Sequence, residues 1–371
     1  MKPAMTAKQH LRALDDAYLQ HILELHLNKQ TGAPYWLGRA ASLGIQGALD
    51  IKSFAEFKKG FAFVDRNQQR GYERDLRELP IEQFIPLSTR RNAEWIWASE
   101  TGGTTGIAKR GTWGDVYWRH ILEFSDELLD LHEVPHDENW LFIGPTGPHT
   151  TGRLLISIAE NRGGKIFCID MDPRIVRAYI SEGNRTATEH YIEHIWQQVK
   201  PIIRYQDIGV MFCTASLLEM LPQYLDIAYF KKLKAVIHAG LAMSRDTHRY
   251  LRDELFPHRP VIGIYGTSVS GISYQKPYES EDDYRIVYIP SQPSIVLEVI
   301  DANGRLVDEG KTGDVRCFRF TEDQLIPGFI ERDQATRITP CGYYQHSYPW
   351  DWIADPHSPA SISGQSIDGV Y

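Results

Sequence analysis

The chain has 371 residues, 42% hydrophobic and 24% charged, enough for a large core in an ordinary folded protein. Forty lysines and arginines against 48 aspartates and glutamates leave a formal charge of −8, which argues against a general nucleic-acid binder. The cysteines Cys168, Cys213, Cys317 and Cys341 form no C-x-x-C pair, so neither a disulfide framework nor a zinc knuckle is implied.

The start, MKPAMTAKQHLRALDDAYLQHIL, is charged and lacks the apolar stretch of a signal peptide. No run approaches the roughly 18 apolar residues that a membrane helix needs. The expectation is a soluble, cytoplasmic protein that meets neither membrane nor nucleic acid. Residues 1–94 read as a mostly helical region, with HLRALDDAYLQHILELHLNK and DIKSFAEFKKGFAFV repeating apolar positions at helical spacing. Residues 95–283 change texture. The short apolar runs WIWAS, WLFIG, KIFCID, IGVMFCT, KAVIHAG and VIGIYGTS alternate with helical stretches such as TATEHYIEHIWQQVKPIIRY and SRDTHRYLRDELF. Strands that alternate with helices predict a largely parallel sheet whose ligands bind beyond the carboxyl ends of the strands. Residues 284–360 read as a β-rich subdomain. There RIVYIP, SIVLEVID, GRLV and DVRCFRF look like antiparallel strands, with a turn at Asn303-Gly304. Residues 361–371 form a short tail.

The stretch TGGTTGIAK, residues 101–109, concentrates glycines, hydroxyls and a cation between WIWASE and a helix expected to begin near Trp113. It is not a G-x-x-x-x-G-K-[ST] loop, because the spacing fails and no hydroxyl follows the lysine. Backbone N–H groups, threonine hydroxyls and Lys109 still suit a triphosphate. The plain alternative is a surface hairpin. Two histidine pairs, His132/His136 and His190/His194, are spaced to share a helix face. Two ligands are too few for a zinc site, so a solvated face is expected and no metal ligand is assigned.

TGGTTGIAK resembles the signature T-S-G-T-T-G-x-P-K of the adenylate-forming superfamily of acyl-CoA synthetases, peptide-synthetase adenylation domains and luciferases. Gly102 replaces the serine and Ala108 the proline, while Thr101, Gly103, Thr104, Thr105, Gly106 and Lys109 agree. The later landmarks follow in family order. His149 lies where that family places a residue by the acyl pocket. His238-Ala239-Gly240-Leu241-Ala242-Met243 resembles the loop lining the adenine. Tyr265-Gly266-Thr267-Ser268-Val269 resembles Y-G-x-T-E, whose tyrosine stacks on adenine, whose hydroxyl meets the α-phosphate and whose glutamate helps hold Mg²⁺. Val269 cannot ligate a metal. The family's ribose-binding aspartate aligns with Tyr348, and a three-residue shift brings Asp351 to its place.

The resemblance implies an α/β fold of the acyl-CoA synthetase type: parallel-rich sheets flanked by helices, plus a β-rich subdomain. SISGQSIDGVY resembles the hinge before the family's C-terminal lid, which is expected to be absent. The short N-terminal region resembles the phenylacetate-CoA ligase branch. A chain of this build resembles the truncated adenylating proteins of D-alanylgriseoluteic acid biosynthesis, a phenazine antibiotic pathway. The implied reaction joins ATP and an aromatic carboxylic acid of the griseoluteic-acid type into an acyl-adenylate and pyrophosphate. The adenylate would pass to a reductase or an acyltransferase. Lys109, Ser268 and Thr104 would act on the reacting phosphates. Thr101, Gly102, Gly103, Thr105, Gly106, Gly240, Leu241, Ala242, Tyr265, Gly266, Thr267 and Asp351 would bind the nucleotide. His149, Gly240 and Tyr265 would bind the acid. ATP is the implied cofactor, with Mg²⁺ held mainly by its phosphates, and a homodimer is one expected assembly. The competing expectations are an acyl-protein synthetase that acylates its own Cys or Ser, and a homologue that binds a nucleotide or acid with little turnover.

Overall fold

The computed structural model describes residues 16–101, 107–240, 242–267 and 269–359. Gly102, Gly103, Thr104, Thr105, Gly106, Leu241, Ser268 and the tail 361–371 lie outside them.

The described residues begin with the α-helices α1 (Asp16–Leu27), α2 (Pro34–Ser42), α3 (Phe54–Phe61), α4 (Arg66–Glu78) and α5 (Leu87–Asn92). Local chemistry sets their starts. Pro34 opens α2, the Ser53 side chain accepts the Glu56 N–H at the start of α3, and Asp65 accepts those of Asn67 and Gln68 at α4. A two-stranded antiparallel hairpin follows, β1 (Ile96–Glu100) and β2 (Arg110–Gly114), and then α6 (Asp115–Leu131). Trp113 therefore lies in a strand, and the helix expected near it starts two residues later.

The second half of the chain builds one 11-stranded sheet. Its parallel strands are β3 (Asn139–Gly144), β4 (Ile166–Asp170), β5 (Ile208–Cys213), β6 (Ala235–His238) and β7 (Val261–Thr267). They are linked by α7 (Thr150–Asn161), α8 (Pro173–Ser181), α9 (Arg185–Tyr205), α10 (Ala215–Tyr224), α11 (Ile227–Phe230) and α12 (Arg245–Arg249), which continues as a π-helical turn over Tyr250–Leu255. The antiparallel strands are β8 (Gly271–Gln275), β9 (Val287–Pro290), β10 (Ile295–Ile300), β11 (Thr312–Phe320), β12 (Leu325–Ile338) and β13 (Trp352–His357). The order is β10-β11-β12-β13-β9-β8-β7-β6-β5-β3-β4. Hydrogen bonding runs unbroken past residue 283, so the parallel and antiparallel parts share one sheet. The α/β class implied by the sequence is the class observed. GRLV forms no strand; it contributes one bridge, Leu306 to Ile300, beyond a turn in which Gly304 has a φ of +72°.

Period-two alternation divides the core into layers. Trp140 and Phe142 of β3, with Val210 and Phe212 of β5, face α6 and α7. Leu141, Ile143, Met211 and Cys213 face Trp196 of α9 and Leu217 of α10. A third cluster joins the N-terminal helices to the antiparallel strands, with Trp36, Phe57, Phe61 and Tyr72 packed against Phe318, Phe320 and Phe329.

Candidate nucleotide site

Strands β1 and β2 flank the signature stretch, whose residues 102–106 lie outside the described ones. The ladder closes at Glu100 and Arg110. Beyond it the Thr101 N–H donates to the Lys109 carbonyl (3.0 Å), and the Lys109 N–H donates to Thr101 Oγ1 (3.1 Å). The hairpin alternative is thus the observed backbone, and it is also a frame that can present a loop to phosphates. Its base is clasped to α4. Arg77 donates to the Ile107 carbonyl at 3.0 Å, and Glu73 pairs with both Lys109 (3.2 Å) and Arg77 (3.0 Å). Burial opposes ionisation of Glu73, but Lys109 and then Arg77 hold its carboxyl below the usual range. The Lys109 ammonium also lies 4.5 Å from the Phe329 ring centroid. An open cleft of about 480 Å³, lined by Glu73, Arg77, Lys109, Phe329 and Arg332, runs beside it.

The carboxyl end of β7 supplies the second wall. Burial ceases along the strand: Val261 to Ile264 are buried, Tyr265 and Thr267 are half-buried and Gly266 is exposed. A Cβ at Gly266 would lie 2.0 Å from the Gly271 carbonyl oxygen, so the return into β8 requires glycine here. Thr267 Oγ1 meets Ser270 Oγ at 2.5 Å and accepts the N–H groups of Val269 (3.2 Å) and Ser270 (3.0 Å), which closes a tight turn. Val269 points into the apolar cluster and is 1% exposed.

β12 crosses this turn and adds two carboxylates that the sequence reading missed. Asp333 accepts the Tyr265 hydroxyl at 3.2 Å. Glu331 accepts the Ser270 hydroxyl at 2.6 Å and that of Thr267 at 3.4 Å. Two carboxylates two residues apart, in Glu331-Arg332-Asp333, were the available signal. Asp351 and Tyr348 sit elsewhere. Asp351 is held by Arg337 at 2.7 and 3.3 Å, and Tyr348 is fully buried with its hydroxyl on Glu127 at 2.9 Å. Tyr265 therefore meets Asp333, and neither of those two residues.

The remaining candidates border the same end of the sheet. Gly240, with a φ of +91°, and Ala242 are exposed after β6. His149 occupies the N-cap position of α7 without a side-chain cap bond. It is tied to the hairpin by a hydrogen bond with the Glu100 backbone and by the neighbouring bond from the Glu100 N–H to the Pro148 carbonyl (2.9 Å). Its Nε2 is buried and has no partner among the described residues. Burial keeps the ring neutral by lowering its pKa.

The histidine pairs form no site. His132 is half-buried, with Nε2 2.8 Å from the Gln275 carbonyl, whereas His136 is exposed beside Asp130 at 3.1 Å. His190 and His194 are exposed along α9. Among the described residues, the only cluster of three potential metal ligands is Asp126, Asp130 and His136. There Arg162 already neutralises both carboxylates. No helix among the described residues is long and apolar enough to cross a membrane.

No family model matches the chain, and no curated protein matches it. Solved structures do. A 2-hydroxyisobutyryl-CoA ligase, in an open conformation with its acyl-adenylate and CoA, superposes with a TM-score of 0.65 at 14% identity, covering 95% of this chain and 78% of that one. The same ligase in its post-adenylation state also gives 0.65 at 14% identity, covering 95% and 70%. MatB from Rhodopseudomonas palustris with ATP gives only 0.45 at 16% identity, and nothing is built on that likeness. The chain has the fold of an adenylate-forming acyl-CoA ligase.

Proposed function

We propose that this protein activates a carboxylic acid with ATP, releasing pyrophosphate and forming an acyl-adenylate. A carboxylate is a poor electrophile because its leaving group would be oxide. Its oxygen attacks the α-phosphorus, the bond to pyrophosphate breaks, and the acyl group then carries AMP as a good leaving group. The protein's work is positioning and charge stabilisation. The observation that carries this reading is the convergence, at one end of the sheet, of the glycine- and threonine-rich hairpin, Lys109, Tyr265 and an acceptor carboxylate, Asp333.

Thr101 to Gly106, with Thr104 and Thr105 foremost, and Lys109 would surround the β- and γ-phosphates. Ser268 would donate to the α-phosphate. Tyr265, Gly266, Thr267, Gly240, Leu241 and Ala242 would border the adenine. Asp333 takes over the ribose role first considered for Asp351, because Asp351 is already bound by Arg337 and Asp333 accompanies Tyr265. A carboxylate accepts both ribose hydroxyl protons. His149, with its unpartnered Nε2, would face the acid. Mg²⁺ would be held mainly by the phosphate oxygens, whose charge it would neutralise.

The acid itself is proposed to be aromatic, of the phenazine or griseoluteic-acid type, with the adenylate passed to a reductase or acyltransferase in antibiotic biosynthesis. That assignment rests on the sequence resemblance alone. The test is pyrophosphate exchange into ATP across a panel of aromatic and small aliphatic acids. Acid-dependent exchange, strongest with aromatic acids, is expected. Nucleotide binding without exchange for any acid would overturn the enzymatic reading and leave a binding protein.

A further inference from the structure

The antiparallel half buries several carboxylates, and three of them are neutralised by contact. Glu298 pairs with Lys58 at 2.6 Å and with Arg316. Asp323 pairs with Arg319 at 2.9 Å, and Asp282 with Lys276 at 2.7 Å. Glu331 is different. It is 8% exposed, and its carboxyl accepts from the neutral hydroxyls of Ser270 and Thr267, both at Oε1. The cation acting on it is Lys109, whose ammonium already rests on Glu73. Burial pushes the Glu331 carboxyl above the ordinary carboxylate range. A buried carboxylate without a contact cation is unfavourable by several kcal/mol unless it gains a proton or a countercharge.

Its position says which countercharge. Glu331 lies between the turn after β7 and the base of the hairpin, the two elements proposed to hold the phosphates. Facing it are the oxygens of Thr267, Ser270 and Asp333, donors of the kind hard divalent cations select, and beyond them the ammonium of Lys109. Val269, next to the proposed α-phosphate donor Ser268, is apolar and turned into the core.

We infer that Glu331 supplies the protein carboxylate for the divalent cation that accompanies ATP, in place of the ligand that Val269 cannot provide. This rests on the proposed nucleotide site. One carboxylate, phosphate oxygens and water are an ordinary coordination set for Mg²⁺. Ser270 and Thr267 then act as positioning residues that fix Oε1 and leave Oε2 for the metal.

Mn²⁺ is the probe, titrated against the protein saturated with α,β-methylene-ATP, with free Mn²⁺ read by electron paramagnetic resonance. Glu331→Gln keeps the size and the hydroxyl contacts but removes the charge. It should weaken Mn²⁺ binding by about tenfold or more, while leaving metal-free analogue affinity and melting temperature unchanged or raised. Glu331→Asp should keep Mn²⁺ binding within a few-fold of wild type. Asp333→Asn should weaken the analogue equally with and without metal. Unchanged Mn²⁺ affinity in Glu331→Gln overturns the inference and spares the nucleotide site. Failure of the wild type to bind the analogue overturns the nucleotide site and this inference with it. If Glu331→Gln loses metal-free analogue binding too, the aspartate variant decides: metal affinity lost there as in the glutamine variant would overturn the inference.

Discussion

The two halves of the sheet treat charge differently. Among the described residues of β3 to β7, the buried polar side chain is His238. Helices cover both faces there, and the strands read as near-continuous apolar runs. The antiparallel strands β8 to β13 bury Ser273, Gln275, Glu298, Arg316, Arg319 and Glu331. The strands of one half pack through apolar side chains, His238 apart. The other spends buried charge to fix the turn, the hairpin and β12 against one another, and the candidate site sits at that junction. Arg319 illustrates the difference. It is fully buried, stacks over Trp113 and Tyr117 at 4.6 and 4.4 Å, and donates to the Thr112 and Val269 carbonyls at 2.6 and 3.3 Å. One side chain thereby ties the hairpin to the turn after β7.

Breaking that tie should have the largest effect. Arg319→Ala leaves Asp323 buried without its cation, and the expected loss is about 3–5 kcal/mol in a denaturant unfolding experiment. A loss no larger than the roughly 1 kcal/mol of an Ile208→Val trim in the parallel half would erase the contrast between the halves.

Val269→Glu comes next. The new carboxylate would enter the cluster with Phe318, Phe320 and Leu325, and about 2–3 kcal/mol of stability should be lost. The melting temperature reads this directly. An unchanged melting temperature with a lower Mg²⁺ requirement would show instead that position 269 reaches the metal.

The smallest effect is a pH slope. Burial holds His26 and His132 down at about 4 and His238 at about 3, against 6.5 when exposed. The unfolded chain therefore takes up protons first. Stability is complete above about pH 6.5 and is lost as pH falls through the folded values, about 1–2 kcal/mol per histidine between pH 6.5 and 5. Both nitrogens of His238 lack a partner among the described residues, so His238→Leu should flatten this slope without loss at neutral pH. An unaltered slope, followed by urea midpoints, would remove His238 from the account.

Much of the parallel half was legible because each strand is a short apolar run that ends in a small or polar residue. WLFIG, KIFCID, IGVMFCT, KAVIHAG and VIGIYGTS all contain strands of the sheet. β12 was not legible as a strand. Pro327 and Gly328 interrupt it, its register shifts against β11, and Glu331, Arg332 and Asp333 break any apolar alternation. Its charges are tolerated because their partners come from residues far away in sequence, Tyr265 and Ser270 among them. No local pattern encodes such pairings. The same reason explains Asp351. A carboxylate at the right distance along the chain looked suitable, but Arg337, paired with Ile353 across β12 and β13, holds it. The hairpin was legible as a glycine- and hydroxyl-rich loop, whereas its clasp to α4 through Glu73 and Arg77 was not.

The central claim is that the hairpin and the end of β7 together hold ATP, with Lys109 on the outer phosphates. Calorimetric titration of ATP and AMP into the wild type and Lys109→Ala tests it most directly. The account predicts that ATP binds the wild type and that the substitution weakens ATP about tenfold, the loss of one charge-assisted hydrogen bond, while AMP changes less than about twofold. Equal weakening of both nucleotides, or no ATP binding by the wild type, would contradict it.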